Sequence, residues 1–326
     1  MAGALPRAEI ERTMGTRARD PIRVYVGLES APTPAARAQL AAAELARLGA
    51  LDRPRVVVAS PTGRGWLNPV AVEAEEYMSR GEVATVVVQY ANRRSYRSTA
   101  EVSVGRDTHR LVLGAVRARI DALAGRSRPE LAVYAESLGA WASLAAVATA
   151  GTEGPRRLGI ERGLWVGVPH GAGAHLARLV PDARQPPADV LVFGGAHELA
   201  RALEGKPVAA RYLVLTRPDD PVATFPGLRV AWRPVGPAAA AGRWRPLLSF
   251  ARGLLEVKRA TDFVPGRLDA DGHDYRGDLA AVLRVAFGHR DVTPAQLARI
   301  ESRLLDNERR RAAREAPFRR RTPPRP

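Results

Sequence analysis

Apolar positions along this chain follow two alternating rhythms. Short β-branched or apolar runs read as strands at Ile22–Gly27, Arg55–Ala59, Ala84–Tyr90, Leu131–Ala135, Gly163–Val168, Val190–Phe193, Tyr212–Thr216 and Leu228–Trp232. Longer stretches with helical spacing lie between and after them, at Pro34–Leu48, Pro69–Ser79, Asp107–Ala124, Ala140–Thr149, His197–Leu203, Trp244–Lys258, Arg276–Phe287 and Pro294–Arg310. Pro34 and Pro294 suit a first helical turn, and Thr33 and Thr293 suit the caps before them. Strand–helix alternation of this kind predicts an α/β fold: a mostly parallel central sheet with helices on both faces, three layers in all. No internal repeat is visible. Pro and Gly cluster at 181–188 and 234–242, within loops. The chain divides into an N-terminal extension over 1–20, one domain over 21–302, and an Arg-rich tail over 303–326.

The segment 131–150, LAVYAESLGAWASLAAVATA, carries the most chemistry. An apolar strand follows Pro129, and an Ala-rich helix that is apolar on most faces follows the turn. Ser137 sits between them, flanked by Ala135 and Gly139. This is the layout of a nucleophile elbow, a tight strand-to-helix turn that exposes one serine above a sheet. The turn requires small residues two positions before and after the serine, and Ala135 meets that need less well than glycine. Beside it, the loop SPTGRGW (60–66) follows the strand Arg55–Ala59, and its glycines let backbone N–H groups approach an anion. Leu138, with Thr62 or Gly63, is therefore expected to supply the oxyanion donors. Neither a Walker pattern nor a G-x-G-x-x-G is present.

A serine nucleophile needs a base, and the base needs an orienting carboxylate. His273 lies in the loop DADGHDY just before a helix. His289 follows a helix, where C-terminal capping accounts for it. His170 ends a strand but precedes the acids. Asp219 and Asp220 both follow the strand Tyr212–Thr216; one is expected to serve as the acid while the other caps a turn. Glu136 is expected to turn away from its neighbour Ser137 and satisfy a nearby loop or arginine.

Composition narrows the remaining choices. With 326 residues, 46% of them hydrophobic, the chain can bury one large core. It has no cysteine, which excludes disulfides, a Cys-ligated zinc and a cysteine nucleophile. No metal or organic cofactor is implied. The net charge is +16, and Lys206 and Lys258 are the only lysines. Residues 303–326 hold nine arginines against Asp306, Glu308 and Glu315, which is +6 of the total. They read as a frayed helix end and a disordered basic arm, either solvated or drawn to an anionic membrane surface. No motif for specific nucleic-acid binding accompanies them. The first 20 residues hold no apolar run suited to a signal peptide, and no window offers 18 uninterrupted apolar residues. The expected location is cytoplasmic or membrane-peripheral.

Several spaced motifs together resemble the catalytic domain of an actinobacterial α/β-hydrolase family whose members usually carry an N-terminal multi-pass membrane region. They are AEIERTMG…RDPIRVYVGLESA (8–31), SPTGRGWLNP (60–69), VVVQY (86–90), YAESLGA (134–140), GLWVGVP (163–169), DDPV (219–222) and GHDY (272–275). The resemblance implies a three-layer α/β-hydrolase fold, with Ser137 as nucleophile, Asp220 as acid and His273 as base. It implies a serine hydrolase cleaving an ester or thioester, with a small acyl ester, lipid-like in character, as substrate. Three departures stand out. Ala135 replaces the usual elbow glycine. Thr216-Arg217-Pro218 replaces an acid loop that usually carries a histidine. Ala91, then Asn92-Arg93-Arg94, replaces the serine after Gln-Tyr. A non-catalytic scaffold that binds a partner or ligand is the alternative that Ala135 and the altered acid loop motivate. An acyltransferase or peptidase would use the same triad.

Overall fold

The computed structural model describes residues 3–92, 101–123, 127–204, 209–225, 253–259 and 263–319. Eight strands occur among them: β1 (Ile22–Val26), β2 (Arg55–Ser60), β3 (Val83–Val88), β4 (Glu130–Glu136), β5 (Thr149–Thr152), β6 (Arg162–Val166), β7 (Val190–Phe193) and β8 (Tyr212–Leu215). Seven of them form one sheet in the order β1-β3-β2-β4-β6-β8-β7, and every pairing is parallel. Parallel strands need crossover connections, and the helices supply them. These are α1 (Arg7–Met14), α2 (Pro34–Arg47), α3 (Pro69–Met78), α4 (Val102–Asp121), α5 (Leu138–Val147), α6 (Glu153–Arg157), α7 (Gly173–Leu179), α8 (Ala196–Ala202), α9 (Pro221–Thr224), α10 (253–259), α11 (Leu279–Ala286) and α12 (Pro294–Arg319).

Alternate residues of each strand feed two cores. Val57 and Ala59 of β2 pack with Ile10, Tyr77, Leu283, Phe287 and Ile300, from α1, α3, α11 and α12. Val56 and Val58 pack on the other face with Ala41, Leu45, Leu113, Val116 and Leu144, from α2, α4 and α5. A sheet buried on both faces has near-continuous apolar strands, which is why these segments read so clearly in the sequence. Thr33 Oγ1 caps α2 by accepting from Ala36 N at 3.1 Å. Thr293 and Gln296 form a reciprocal cap on α12, at 3.2 and 3.0 Å.

The fold is the three-layer α/β-hydrolase architecture. The expected strand at Leu228–Trp232 and most of the expected helix Trp244–Lys258 lie outside the described residues. Two boundaries differ from expectation. The first 20 residues contain α1, whose Ile10 and Met14 are fully buried one helical turn apart against α3 and α12. The chain also does not leave the domain at Arg303. α12 continues to Arg319, with Leu304 buried and Asn307 Nδ2 donating to Glu73 Oε2 at 3.1 Å. Residues 320–326 lie outside the described residues.

Candidate active site

β4 ends at Glu136 and α5 begins at Leu138, so Ser137 alone makes the turn between them. Its backbone takes φ 54° and ψ −126°. Such a conformation costs a non-glycine residue about 1–3 kcal/mol and persists only where its surroundings enforce it. Here Ser137 N donates to Val166 O at 2.9 Å, and the Ser137 carbonyl accepts from Ala140 N at 2.9 Å. Gly139 is required by space: a Cβ there would lie 2.3 Å from Ser60 O and 2.5 Å from Pro61 O. Ala135 is different. Its methyl group is wholly buried in the core that contains Val133, Ala140 and Trp165, so the departure from glycine is absorbed without disturbing the turn.

β8 leads into the acid loop. Asp220 is fully buried and caps α9, its Oδ1 accepting from Val222 N at 2.8 Å. Its Oδ2 lies 2.7 Å from His273 Nδ1 and accepts from Tyr275 OH at 2.8 Å. The other ring nitrogen, His273 Nε2, lies 3.1 Å from Ser137 Oγ. The structure thus brings Ser137, His273 and Asp220 into one hydrogen-bonded line, while Asp219 is exposed. Gly167 makes room for the ring: at φ 58°, a Cβ there would come within 2.9 Å of His273 Cε1.

A buried arginine in the altered acid loop holds this line in place. Arg217 is buried, stacks over the Tyr275 ring at 4.4 Å, and donates from Nη1 to Asp274 O at 2.7 Å. Its Nη2 donates to Asp278, and its backbone N donates to Tyr275 OH at 3.0 Å. One side chain therefore ties the acid loop to the histidine loop. Arg217 and Tyr275 were not singled out as working residues in the sequence. Their signal was present only in the motif spacing, with Tyr275 two residues after His273.

Two other expectations, for Thr62 and Gly63, resolve differently. Thr62 N donates to Trp66 O at 2.9 Å, so this proposed oxyanion donor is used within its own loop. The Thr62 side chain lines the cavity above Ser137, whereas Gly63 does not, lying in the turn closed by Gly65 N and Thr62 O. Leu138 N lies in the first turn of α5, where backbone donors have no acceptor within the helix. Glu136 meets the loop half of its expectation: Asn68, at the end of the 60–69 loop, hydrogen-bonds its carboxyl. Glu136 is buried, accepts from Tyr134 OH at 2.7 Å, and lines the same cavity as Ser137 and His273. Burial pushes its carboxyl from 4.5 to about 7, against the pull of Tyr134 and His273.

His289 and His170 lie elsewhere. His289 Nε2 is 2.7 Å from Glu75 Oε2. His170 faces a separate cavity of about 900 Å³ bounded by Pro169, Phe193 and Thr216. The cavity over Ser137 measures about 840 Å³, within the range of small-molecule sites. Among the described residues, no His, Asp and Glu side chains group so as to hold a metal ion, and no helix is long and apolar enough to cross a membrane. Arg93 and Arg94 lie outside the described residues.

Comparison with known proteins places this geometry in context. The profile of an alpha/beta-hydrolase family matches residues 22–300. A search of curated proteins returned no match. Among solved structures, a novel cutinase-like protein from Cryptococcus sp. is 14% identical with a TM-score of 0.31, over 64% of this chain and 95% of that one. An acetylxylan esterase is 15% identical with a TM-score of 0.32, over 64% of this chain and 98% of that one. Likenesses this distant carry no argument about the reaction.

Proposed function

The chain belongs to the alpha/beta-hydrolase family, and from that premise we propose that it is a serine hydrolase cleaving a small acyl ester or thioester through an acyl-enzyme. The observation that carries the reading is the line from Ser137 Oγ through His273 to Asp220, at 3.1 and 2.7 Å, opening into a cavity. Both separations fall within the reach needed for proton transfer and for orientation of the base.

Ser137 Oγ attacks the acyl carbon while His273 Nε2 takes the hydroxyl proton, giving a tetrahedral oxyanion. Collapse breaks the bond to the leaving alcohol or thiol, which departs with the proton from His273. Water then attacks the acyl-enzyme, again giving its proton to His273, and the acid is released with Ser137 restored. Asp220, wholly buried, holds Nδ1 and stabilises the imidazolium formed at each step. We assign Leu138 N, in the first turn of α5, as an oxyanion donor, and one such donor is worth about 3–4 kcal/mol in a well-studied hydrolase.

The non-catalytic alternative was motivated by Ala135 and by Arg217. Ala135 packs without displacing the elbow, and Arg217 binds the two loops that carry the base and acid. Both observations support the enzyme. The test is covalent labelling with a fluorophosphonate, in which the Ser137 oxygen forms a bond to phosphorus and fluoride leaves. Labelling of wild type that vanishes in Ser137→Ala is expected; a purified, folded wild type that takes up no label overturns the reading.

A further inference from the structure

We infer that the C-terminal helix α12, which the sequence presents as a basic arm, is the specificity-determining wall of the active site. We further infer that it restricts the enzyme to compact acyl esters and disfavours long-chain lipids. The inference rests on the hydrolase reading above and goes beyond it. Four residues of α12 line the cavity over Ser137: Glu308, Arg311, Ala312 and Glu315. Their spacing, i, i+3, i+4 and i+7, is that of one helical face. A full two turns of α12 is therefore turned toward the nucleophile.

This face is fixed in position. Glu308 Oε1 accepts from Arg276 Nη1 at 2.8 Å, and Arg276 also grips Asp274, the neighbour of His273, at 2.7 Å. Arg311 donates to Glu308 Oε2 at 3.0 Å and to Glu73 Oε1 at 2.5 Å. The helix is thus tied to the loop carrying the base and to α3. Trp66 and Phe263, with ring centroids 6.4 Å apart, also line the cavity.

The chemistry of the walls sets the substrate class. An acyl group of a few carbons can lie against Trp66 and Phe263. A long alkyl chain extending from Ser137 through the cavity of about 840 Å³ would meet the helix face carrying Glu308, Arg311 and Glu315. Glu308 and Arg311 keep 12% and 21% of their side chains exposed despite their ion pairs, and covering that remainder with hydrocarbon removes water without replacing its hydrogen bonds. Ala312 is the small residue in the middle of that face, and it is half-buried. A larger side chain there narrows the space, and its removal widens it.

The experiment compares second-order labelling rates with an ethyl and a dodecyl fluorophosphonate on wild type, Ala312→Phe, Ala312→Gly and Ala313→Phe. Ala313 is on the same helix, exposed and outside the cavity lining. Thermal melting confirms that each variant is folded. Wild type is expected to react faster with the ethyl probe. The dodecyl-to-ethyl ratio is expected to fall about tenfold in Ala312→Phe, to rise in Ala312→Gly, and to stay at the wild-type value in Ala313→Phe. If wild type is labelled but the ratio in Ala312→Phe and Ala312→Gly matches that in Ala313→Phe, the wall is overturned and the hydrolase stands. Faster labelling of wild type by the dodecyl probe overturns the preference for compact substrates. Absence of labelling in wild type overturns both readings.

Discussion

The two ends of the central sheet both bury charge, and they do so under opposite rules. At the amino ends, Arg55 of β2 sits among Glu75, Glu130, His289 and the Phe287 carbonyl, with contacts of 2.5–3.1 Å. Arg162 of β6 shares Glu130 with it. Each charge there meets several partners, and the group is packed shut against the Phe287 ring. At the carboxyl ends, Ser137 has a strained backbone and a hydroxyl facing a cavity, while Glu136 beside it has a neutral tyrosine as its hydrogen-bond donor. The first arrangement trades desolvation for many charge-assisted bonds and holds the layers in register. The second keeps its own pairs, such as Arg217 with Asp278, but leaves the Ser137 hydroxyl facing a cavity, as the proposed hydrolase site requires.

The sharpest way to break this comparison is at Ser137. Ser137→Ala should lower kcat by about a thousandfold or more while the melting temperature stays near that of wild type. Ser137→Gly should be equally inactive yet gain about 1 kcal/mol in denaturant unfolding, because glycine accepts φ 54° without strain. An unchanged stability in Ser137→Gly would mean that the elbow stores nothing.

At the other end, Glu75→Ala should cost about 3–5 kcal/mol by leaving Arg55 and His289 facing each other without their shared carboxylate. The folded fraction, assayed in the cold, should keep its reactivity toward a small fluorophosphonate. Loss of both together would show that the two ends are not separable.

pH distinguishes the two ends by sign. His289 and Arg55 hold the Glu75 carboxyl below its usual range, so its contribution to stability is present above pH 4.5 and is lost as the pH falls. Burial raises Glu136 from 4.5 to about 7, so the folded state binds its proton more tightly than the unfolded chain. Its effect runs the other way: stability falls by about 3 kcal/mol as the pH rises from 4.5 to 7. Glu136→Gln should flatten that part of the stability–pH curve, measured by urea unfolding, while Glu75→Gln should flatten the acid limb.

The smallest expected effect is at Tyr275. Tyr275→Phe removes the hydroxyl between Arg217 N and Asp220 Oδ2, at 3.0 and 2.8 Å. The loss of these two buried hydrogen bonds, about 1 kcal/mol each, should lower kcat about tenfold with little change in KM. A change confined to KM would move Tyr275 from positioning the acid to contacting substrate.

What could be read from the sequence follows the same division. The sheet was legible because strands such as Val83–Val88 are buried on both faces and therefore apolar at every position but Thr85. Ser137, Asp220 and His273 were legible because an elbow, an acid after a strand and a histidine in a late loop occur in a fixed order. The α1 helix was not, since only Ile10 and Met14 mark its apolar side and the residues around them are charged. The extent of α12 was hidden by its arginines, which look solvated until Glu73 and Glu308 are placed beside Arg311. The use of Thr62 N within its own loop was equally hidden, because no residue pattern reports which carbonyl a turn will meet. Arg217 looked like damage to a motif, and only the distances reveal it as a tie between two loops.

The pairing of Glu73 with Arg311 has a consequence in time. The two residues are 238 positions apart. A ribosome adding about 5–20 residues per second makes Glu73 roughly 12–48 s before its cation exists. Once β8 has been made the nascent chain holds every strand of the sheet but still lacks the wall of the cavity, which has not yet been translated. The cavity over Ser137 is therefore completed only after the elbow serine has been made.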